Sequence, residues 1–213
     1  YLSIGATVLA LIVGLPSALF MNIHIVHKKK LVNFIRLCLD LLWGVPSIVY
    51  GVFAFSIMLY VGARASLGAG MITVAIFIVP VIIRSIDEAV KTIPKDLLEV
   101  SFSLGATRTE IAYKIFVRQC MPAIVTATML AFGRAIGDAA AVMFTTGFTD
   151  SLPTSISQQS ATLSLSVFFQ LSSPMEEVKN RAYAAAALLT IIVLIISISA
   201  RVLSSKYHKT RIK

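Results

Sequence analysis

Ala182-Tyr183-Ala184-Ala185-Ala186-Ala187-Leu188-Leu189-Thr190-Ile191-Ile192-Val193-Leu194-Ile195-Ile196-Ser197-Ile198-Ser199-Ala200 runs without a single charged side chain. At about 1.5 Å of rise per residue, such a run wound as a helix reaches across the roughly 30 Å hydrocarbon core of a bilayer. Uncharged runs recur at Tyr1 to Val26, Leu41 to Ala63 and Ala65 to Ile83, and Cys120 to Thr149 is interrupted only by Arg134 and Asp138. Lipid offers no partner to a bare N–H or C=O, so each run must close its own backbone hydrogen bonds as a helix. Alternating ten-residue segments, the mark of a membrane barrel, are absent. The reading is an all-α, polytopic transmembrane helical bundle with five spans.

Composition agrees. The 213 residues are 57% hydrophobic and 14% charged, with a mean hydropathy of +0.87. A soluble domain of that size needs far more charge to cover its surface. The net charge of +9 is explained by position rather than by nucleic acid. If the loop between the third and fourth spans lies in the cytoplasm, fifteen basic residues fall inside. They are Lys28, Lys29, Lys30 and Arg36; Arg84, Lys91, Lys95, Arg108, Lys114 and Arg118; and Arg201, Lys206, Lys209, Arg211 and Lys213. Only Arg64, Lys179 and Arg181 fall outside, a strong positive-inside bias that puts the C-terminal tail, 201–213, in the cytoplasm. Tyr1 opens on an apolar run without a basic flank, unlike a signal peptide. The expectation is a single transmembrane domain over 1–213 cut from a longer chain, with at least one more span upstream. Cys38 and Cys120 fall near the reducing face, where a disulfide is not expected, and no His neighbours complete a zinc site.

Several local features carry more. Gly44-Val45-Pro46-Ser47 and Gly51 weaken the helical ladder of the second span, as a packing kink or as an unwound site. The stretch 149–174 is rich in Ser, Thr and Gln, a plain external loop or a re-entrant cap, with Phe168 and Phe169 at the interface. The loop within 85–121 is not disordered in composition, because Leu97, Leu98, Val100, Leu104, Ile111, Ile115 and Phe116 recur through it. Gly105 divides it into two short amphipathic helices, the second starting near Thr107 or Arg108 with Thr109 as a cap. Such a pair can lie on the membrane or dock on a cytoplasmic partner.

Arg134 and Asp138 stand at i and i+4, one helical face, near mid-membrane. An ionised Arg there is unfavourable by about 2.5–3.5 kcal/mol on insertion scales, so it must face protein or water. It either neutralises Asp138 or helps to bind a passing oxyanion, which Asp138 then orients; guanidinium geometry suits such oxygens. Gly133 and Gly137 on a neighbouring face suggest a close helix contact. Arg84 can pair with Asp87 or Glu88 at the inner end of the third span, as a membrane-edge salt bridge or as an inner gate. His24, His27 and His208 are scattered at the inner ends and read as solvated. No Gly-x-x-x-x-Gly-Lys-Ser/Thr occurs, and no nucleophile–base or metal constellation can be assembled. The chain is therefore expected to be non-catalytic and without a cofactor.

Glu99-Val100-Ser101, Gly105 and Ile115 resemble the coupling loop of ABC-transporter permeases, written Glu-Ala-Ala, three residues, Gly, nine, Ile, one, Leu-Pro. Val117 stands for the Leu; Arg118 departs from the Pro, and Pro122 follows four residues on. Gly44 to Gly51, Pro80 to Ala89 and Gly133 to Asp138 resemble the phosphate-uptake branch, which usually carries Glu where Asp138 stands. The final polar loop and span, through Pro174-Met175-Glu176-Glu177, look like that branch's A-type permease.

The resemblance, from about Ala6 to Ser204, implies a MetI-like ABC importer permease in a bacterial-type inner membrane. It further implies a homologous permease, two copies of an ATP-binding subunit and an extracytoplasmic phosphate-binding protein as partners. Glu99, Gly105 and Ile115 would couple to the ATPase, and Arg134, Asp138 and Arg84 would line the substrate path. Sulfate or molybdate is the alternative cargo. A channel or scaffold without ATP coupling is the alternative class, and the glycine-split loop argues against it.

Overall fold

The computed structural model describes residues 1–149 and 151–208, and every regular element among them is helical. The order is α1 (Leu2–Ile23), α2 (Lys29–Gly44), α3 (Ser47–Val61), α4 (Leu67–Lys91), α5 (Lys95–Ser103), α6 (Arg108–Gly137), α7 (Leu163–Leu171) and α8 (Glu176–His208). Four helices, α1, α4, α6 and α8, are long and apolar enough to cross a membrane; counting α2 with α3 as one bent span gives the expected five. The basic tail expected at 201–213 continues α8 as far as His208, while Lys209 to Lys213 lie outside the described residues.

α4 is the centre of the bundle and packs against α1, α2, α3 and α6. Its Val74, Ile78, Val81, Ile82 and Ile86 are shut off from solvent. The tightest partner is α1, and the cause is a stripe of small residues. Ala6, Ala10, Gly14 and Ala18 repeat every four positions along one face, and all four are buried. A Cβ at Gly14 would stand 2.9 Å from Cγ2 of Ile82, closer than carbon atoms tolerate. Between membrane helices, where lipid is as apolar as leucine, small residues allow the close approach that packing needs. Among the described residues the expected close contact at Gly133 and Gly137 does not form, because beyond the adjoining backbone of α6 nothing lies within 4 Å of a Cβ at either position.

The second span is broken rather than kinked. Pro46 lacks an N–H and forces Val45 into extended backbone (φ −68°, ψ 130°), so α2 stops and α3 starts afresh at 98° to it. The Tyr50 hydroxyl donates to the Leu42 carbonyl at 2.9 Å, satisfying an acceptor that the break exposes.

The polypeptide after α6 is a packed cap at the end of the bundle away from the basic segments. Ala141, Val142, Thr145 and Thr146 are fully buried. The carbonyls of Thr145, Gln158 and Ile156 accept the N–H groups of Ser66, Leu67 and Gly68 at the start of α4. A Cβ on Gly51 would lie 2.9 Å from the Ala140 and Ala141 carbonyl oxygens, so α3 approaches this cap through glycine. Phe168 and Phe169 lie on α7, with Phe169 also against Phe148.

Candidate functional site

Three groups of residues singled out in the sequence settle into distinct places: one at half-depth between α4 and α6, one at the basic end of α4, and one beyond that end.

At half-depth, the Arg134 guanidinium lies over the Phe77 ring, 4.2 Å from its centroid, and Tyr50 meets the same ring edge-on at 5.4 Å. Phe77 is ten residues into α4, about 15 Å from its start. The pairing with Asp138 does not form. That expectation took the helix as continuous through both residues, but α6 ends at Gly137 and Asp138 is extended (φ −80°, ψ 120°). Asp138 instead accepts the Ala141 N–H on its own Oδ1 at 3.0 Å and the Ser164 hydroxyl on its carbonyl oxygen. Its carboxylate caps the turn that starts the packed cap. Among the described residues no carboxylate lies within ion-pair distance of Arg134. Two weaker effects support the charge: the quadrupole of Phe77, and the negative end of the α6 dipole, since Arg134 sits in its last turn.

At the basic end of α4, Asp87 is completely buried and saturated. Arg36 on α2 donates Nε to Oδ2 (3.0 Å) and Nη2 to Oδ1 (2.9 Å). Asn22 on α1 donates to Oδ1 at 2.9 Å, and Arg84 and Lys91 on α4 itself reach Oδ2 at 2.9 and 2.8 Å. Arg84 extends the network through Nε to Asp40 on α2 and through Nη2 to Glu88 at 3.4 Å. The expected pairing of Arg84 with Asp87 and Glu88 is thus present, inside a larger cluster of three cations and three carboxylates. The sequence reading missed Asn22, Arg36, Asp40 and Lys91. Two signals were available: Lys91 stands four residues after Asp87, and Asp40 four after Arg36 at the polar edge of an apolar run.

The third group is the glycine-split segment. α5 closes with Gly105 in the left-handed region, φ +81°, and the Ala106 N–H reaches back to the Ser101 carbonyl. No atom crowds a Cβ at Gly105, so backbone angle rather than space selects glycine. The next helix is capped by Thr107, not Thr109. Thr107 Oγ1 accepts the Glu110 N–H, and Glu110 Oε2 accepts the Thr107 N–H, a reciprocal capping box that Thr-x-x-Glu announces. Beyond it the chain winds as a π-helix over Ile111–Phe116 before α6 resumes α-helical geometry. Glu99 and Gly105 are exposed and Ile115 is half-buried. Val100, Phe102, Leu104 and Tyr113 are apolar and at least half exposed. His27, read as solvated, lies 3.3 Å from an Arg108 nitrogen, and His24 stacks on Phe20. Among the described residues no His, Cys, Asp or Glu grouping could hold a metal ion.

Comparison with known proteins places this arrangement. The chain is 30% identical over 200 residues to the phosphate transport system permease protein PstA of Yersinia pestis, covering 92% of this chain and 68% of that protein. It is 29% identical over 197 residues to the probable ABC transporter permease protein YqgI of Bacillus subtilis, covering 85% and 67%. Among solved structures, a chain of the MetNI methionine ABC transporter in inward-facing conformations shares the fold, with a TM-score of 0.78 at 19% identity over 97% of this chain and 91% of that one. Residues 8–209 match the family of binding-protein-dependent transport system inner membrane components, and this multi-pass membrane chain belongs to that family.

Proposed function

We propose that the chain is the permease subunit of an ATP-driven importer for inorganic phosphate in a bacterial inner membrane. The observation that carries the reading is Arg134. It is a guanidinium at half-depth of the bundle, resting on Phe77 and uncommitted to any carboxylate among the described residues. A planar fork of N–H donors in that position suits a tetrahedral oxyanion. The phosphate transport permeases among its relatives support phosphate over other oxyanions.

In this reading the basic end of the bundle faces the cytoplasm. The exposed surface around Glu99, Gly105 and Ile115 docks a separate ATP-hydrolysing subunit, two copies of which serve this permease and a homologous one. A phosphate-binding protein delivers cargo at the packed cap. Arg84, whose Nε, Nη1 and Nη2 each meet a carboxylate, belongs to the Asp87 cluster that pins the bent span. It is a latch on the inner side of the path rather than a ligand of the anion. Asp138 shapes the turn beside Arg134.

The test is uptake of labelled phosphate by the reconstituted complex, with sulfate and molybdate as competitors. Import of phosphate that is abolished in Arg134→Met, with ATPase copurification intact, supports the reading. Competition by sulfate or molybdate at concentrations matching phosphate removes the assignment of cargo, and normal uptake by Arg134→Met removes the assignment of the site.

A further inference from the structure

Where the basic end of α1 meets the start of α6, the surface opens into a groove of about 400 Å³. Pro16, Ser17 and Phe20 on α1 and Ala112 and Tyr113 on α6 are among the residues that line it. By helix rise, Phe20 lies about 5 Å and Pro16 about 10 Å before α1 ends at Ile23, so this wall is inside the span. Ser17 Oγ gives its proton to the Val13 carbonyl at 2.6 Å, which leaves the wall without a free hydroxyl donor. Ile12 and Val13 stand four and three residues before Pro16, and Phe20 four after it, on one side of the helix. All three are at least half exposed, so the wall continues an apolar stripe that faces lipid.

Beyond the wall the charge is of one sign. His27, Lys28, Lys29 and Lys30 follow α1 and are exposed, and Arg108 opens α6 with a guanidinium nitrogen 3.3 Å from Nε2 of His27. Among the described residues none of these five groups meets a carboxylate. Glu110, the nearest acid along the chain from Arg108, accepts from Lys114 and closes the Thr107 cap. Arg108 can donate to Nε2 only while that nitrogen carries no proton, so the contact sets a cation against a neutral ring. The first turn of a helix favours negative charge, which gives Arg108 no support from α6. A cation at the positive end of a helix, with only an imidazole beside it, is a local conflict of the kind that marks a functional position. An anion from outside the chain resolves it.

We propose that this groove binds one anionic phospholipid of the leaflet at the basic end. Its phosphodiester meets Arg108 and His27 beside the lysine run, and an acyl chain lies along Pro16, Phe20 and Tyr113. Free phosphate would use the cations and leave the apolar wall bare. A soluble subunit docking from the aqueous side reaches Arg108 but not a wall two turns inside the span. A molecule with an anionic head and an apolar tail matches both, as basic pockets between membrane helices do elsewhere. The lipid joins α1 to the first turn of α6, three residues after Gly105.

The experiment is retention of phosphatidylglycerol by the delipidated full complex, counted by native mass spectrometry against phosphatidylcholine with the same acyl chains. Wild type is expected to keep phosphatidylglycerol in clear excess, and its melting point should rise with that lipid and not with the other. Arg108→Gln should lower retention about fivefold, the share of one cation near an anionic headgroup, and Arg108→Lys should restore most of it. Ser17→Phe fills the wall without changing charge and should lower retention by a similar factor. Phe20→Ser, which removes the same wall, repeats the test by deletion. Equal retention of the two lipids overturns the proposal, and so does phosphatidylglycerol retention that Arg108→Gln leaves unchanged. A response to Arg108→Gln without any response to Ser17→Phe or Phe20→Ser overturns the groove, and competition by inorganic phosphate would then assign the cations to the free anion. Loss of the ATPase subunit from Arg108→Gln with lipid retention unchanged would make this rim part of the docking surface instead. Retention is measured without transport, so it is decided separately from the cargo.

Discussion

Asp87 on α4 accepts two hydrogen bonds from Arg36 on α2, Nε to Oδ2 and Nη2 to Oδ1, in the paired geometry that guanidinium and carboxylate favour. This contact ties the first half of the broken span to the centre of the bundle. Removing one member of a buried charge network leaves the others uncompensated, at a cost of about 3–5 kcal/mol. Asp87→Asn strands Arg36, Arg84 and Lys91 together. Its expected outcome is a sharp loss of thermal stability of the purified complex, while Glu88→Gln, at the exposed edge of the cluster, costs less than about 1 kcal/mol. Equal melting points for the two variants would contradict the central place of Asp87.

Arg134 and Asp138 should behave as independent residues. If they formed an ion pair, neutralising both would recover part of what either single change loses. Because Asp138 caps the turn at Ala141, Asp138→Leu is expected to cost about 1 kcal/mol of stability as a lost cap. The double change Arg134→Met with Asp138→Leu should be additive within roughly 0.5 kcal/mol. A double-mutant cycle on the melting of the complex measures this, and a coupling well above that value would restore the pair. Uptake should fall with Arg134→Lys as well, since an ammonium cannot reproduce the planar fork.

Gly105 separates backbone angle from space. With φ at +81° and open surroundings, Gly105→Val forces a β-branched residue into a region it resists, at about 1–2 kcal/mol. Asn visits that region far more readily. Copurification of the ATPase and ATP-driven uptake should fail in Gly105→Val and survive in Gly105→Asn. If both variants couple normally, the segment is not the docking surface.

The glycines of the bundle should divide into two classes. Gly14→Val places atoms against Ile82 where no room exists, and overpacking costs about 1–3 kcal/mol. Gly133→Ala and Gly137→Ala meet no neighbouring element among the described residues and should leave the chain's own stability unchanged or slightly raised. Melting of the isolated chain in detergent separates the classes. A destabilising Gly133→Ala in that assay would reveal an intrachain contact.

Orientation is tested by labelling. Single cysteines at Lys29 and Thr107 should react with impermeant reagent only from the cytoplasmic side, and those at Arg64 and Ser157 only from outside. Reaction of Thr107 from outside would invert the bundle and remove the docking segment with it.

Periodicity and charge made the spans legible, because lipid imposes a length and an absence of charge that can be counted. The break at Pro46 and the turn at Gly105 were legible because each residue type restricts or relaxes φ in a known way. What escaped reading was long-range. Asn22, Arg36 and Asp87 come from three helices, and nothing local in the sequence announces that the Asp87 carboxylate gathers the other two. The Arg134–Asp138 pairing failed for a related reason. Spacing of i and i+4 implies contact only within a continuous helix, and α6 ends between the two residues. The small-residue stripe of α1 was as legible as the glycine pair on α6, but only the stripe faces a neighbouring helix among the described residues.

The break between α2 and α3 has a mechanical consequence. α1 and α4 are locked by the Gly14–Ile82 contact and leave no slack, and α2 is fastened to them by Asp87. α3 takes no part in the Asp87 cluster and is held instead by Tyr50 on Phe77, Gly51 on the cap and Phe55 beside Phe144. It is a rod of about 22 Å by helix rise, jointed at Val45–Pro46 and tethered at its far end by Gly62, which is in the left-handed conformation. Pivoting such a rod by 10° at the joint sweeps its tip through about 4 Å. The angle of that joint therefore bears directly on Arg134, because Tyr50, one turn from the break, rests against the Phe77 ring beneath the guanidinium, and Gly51 beside it meets the cap.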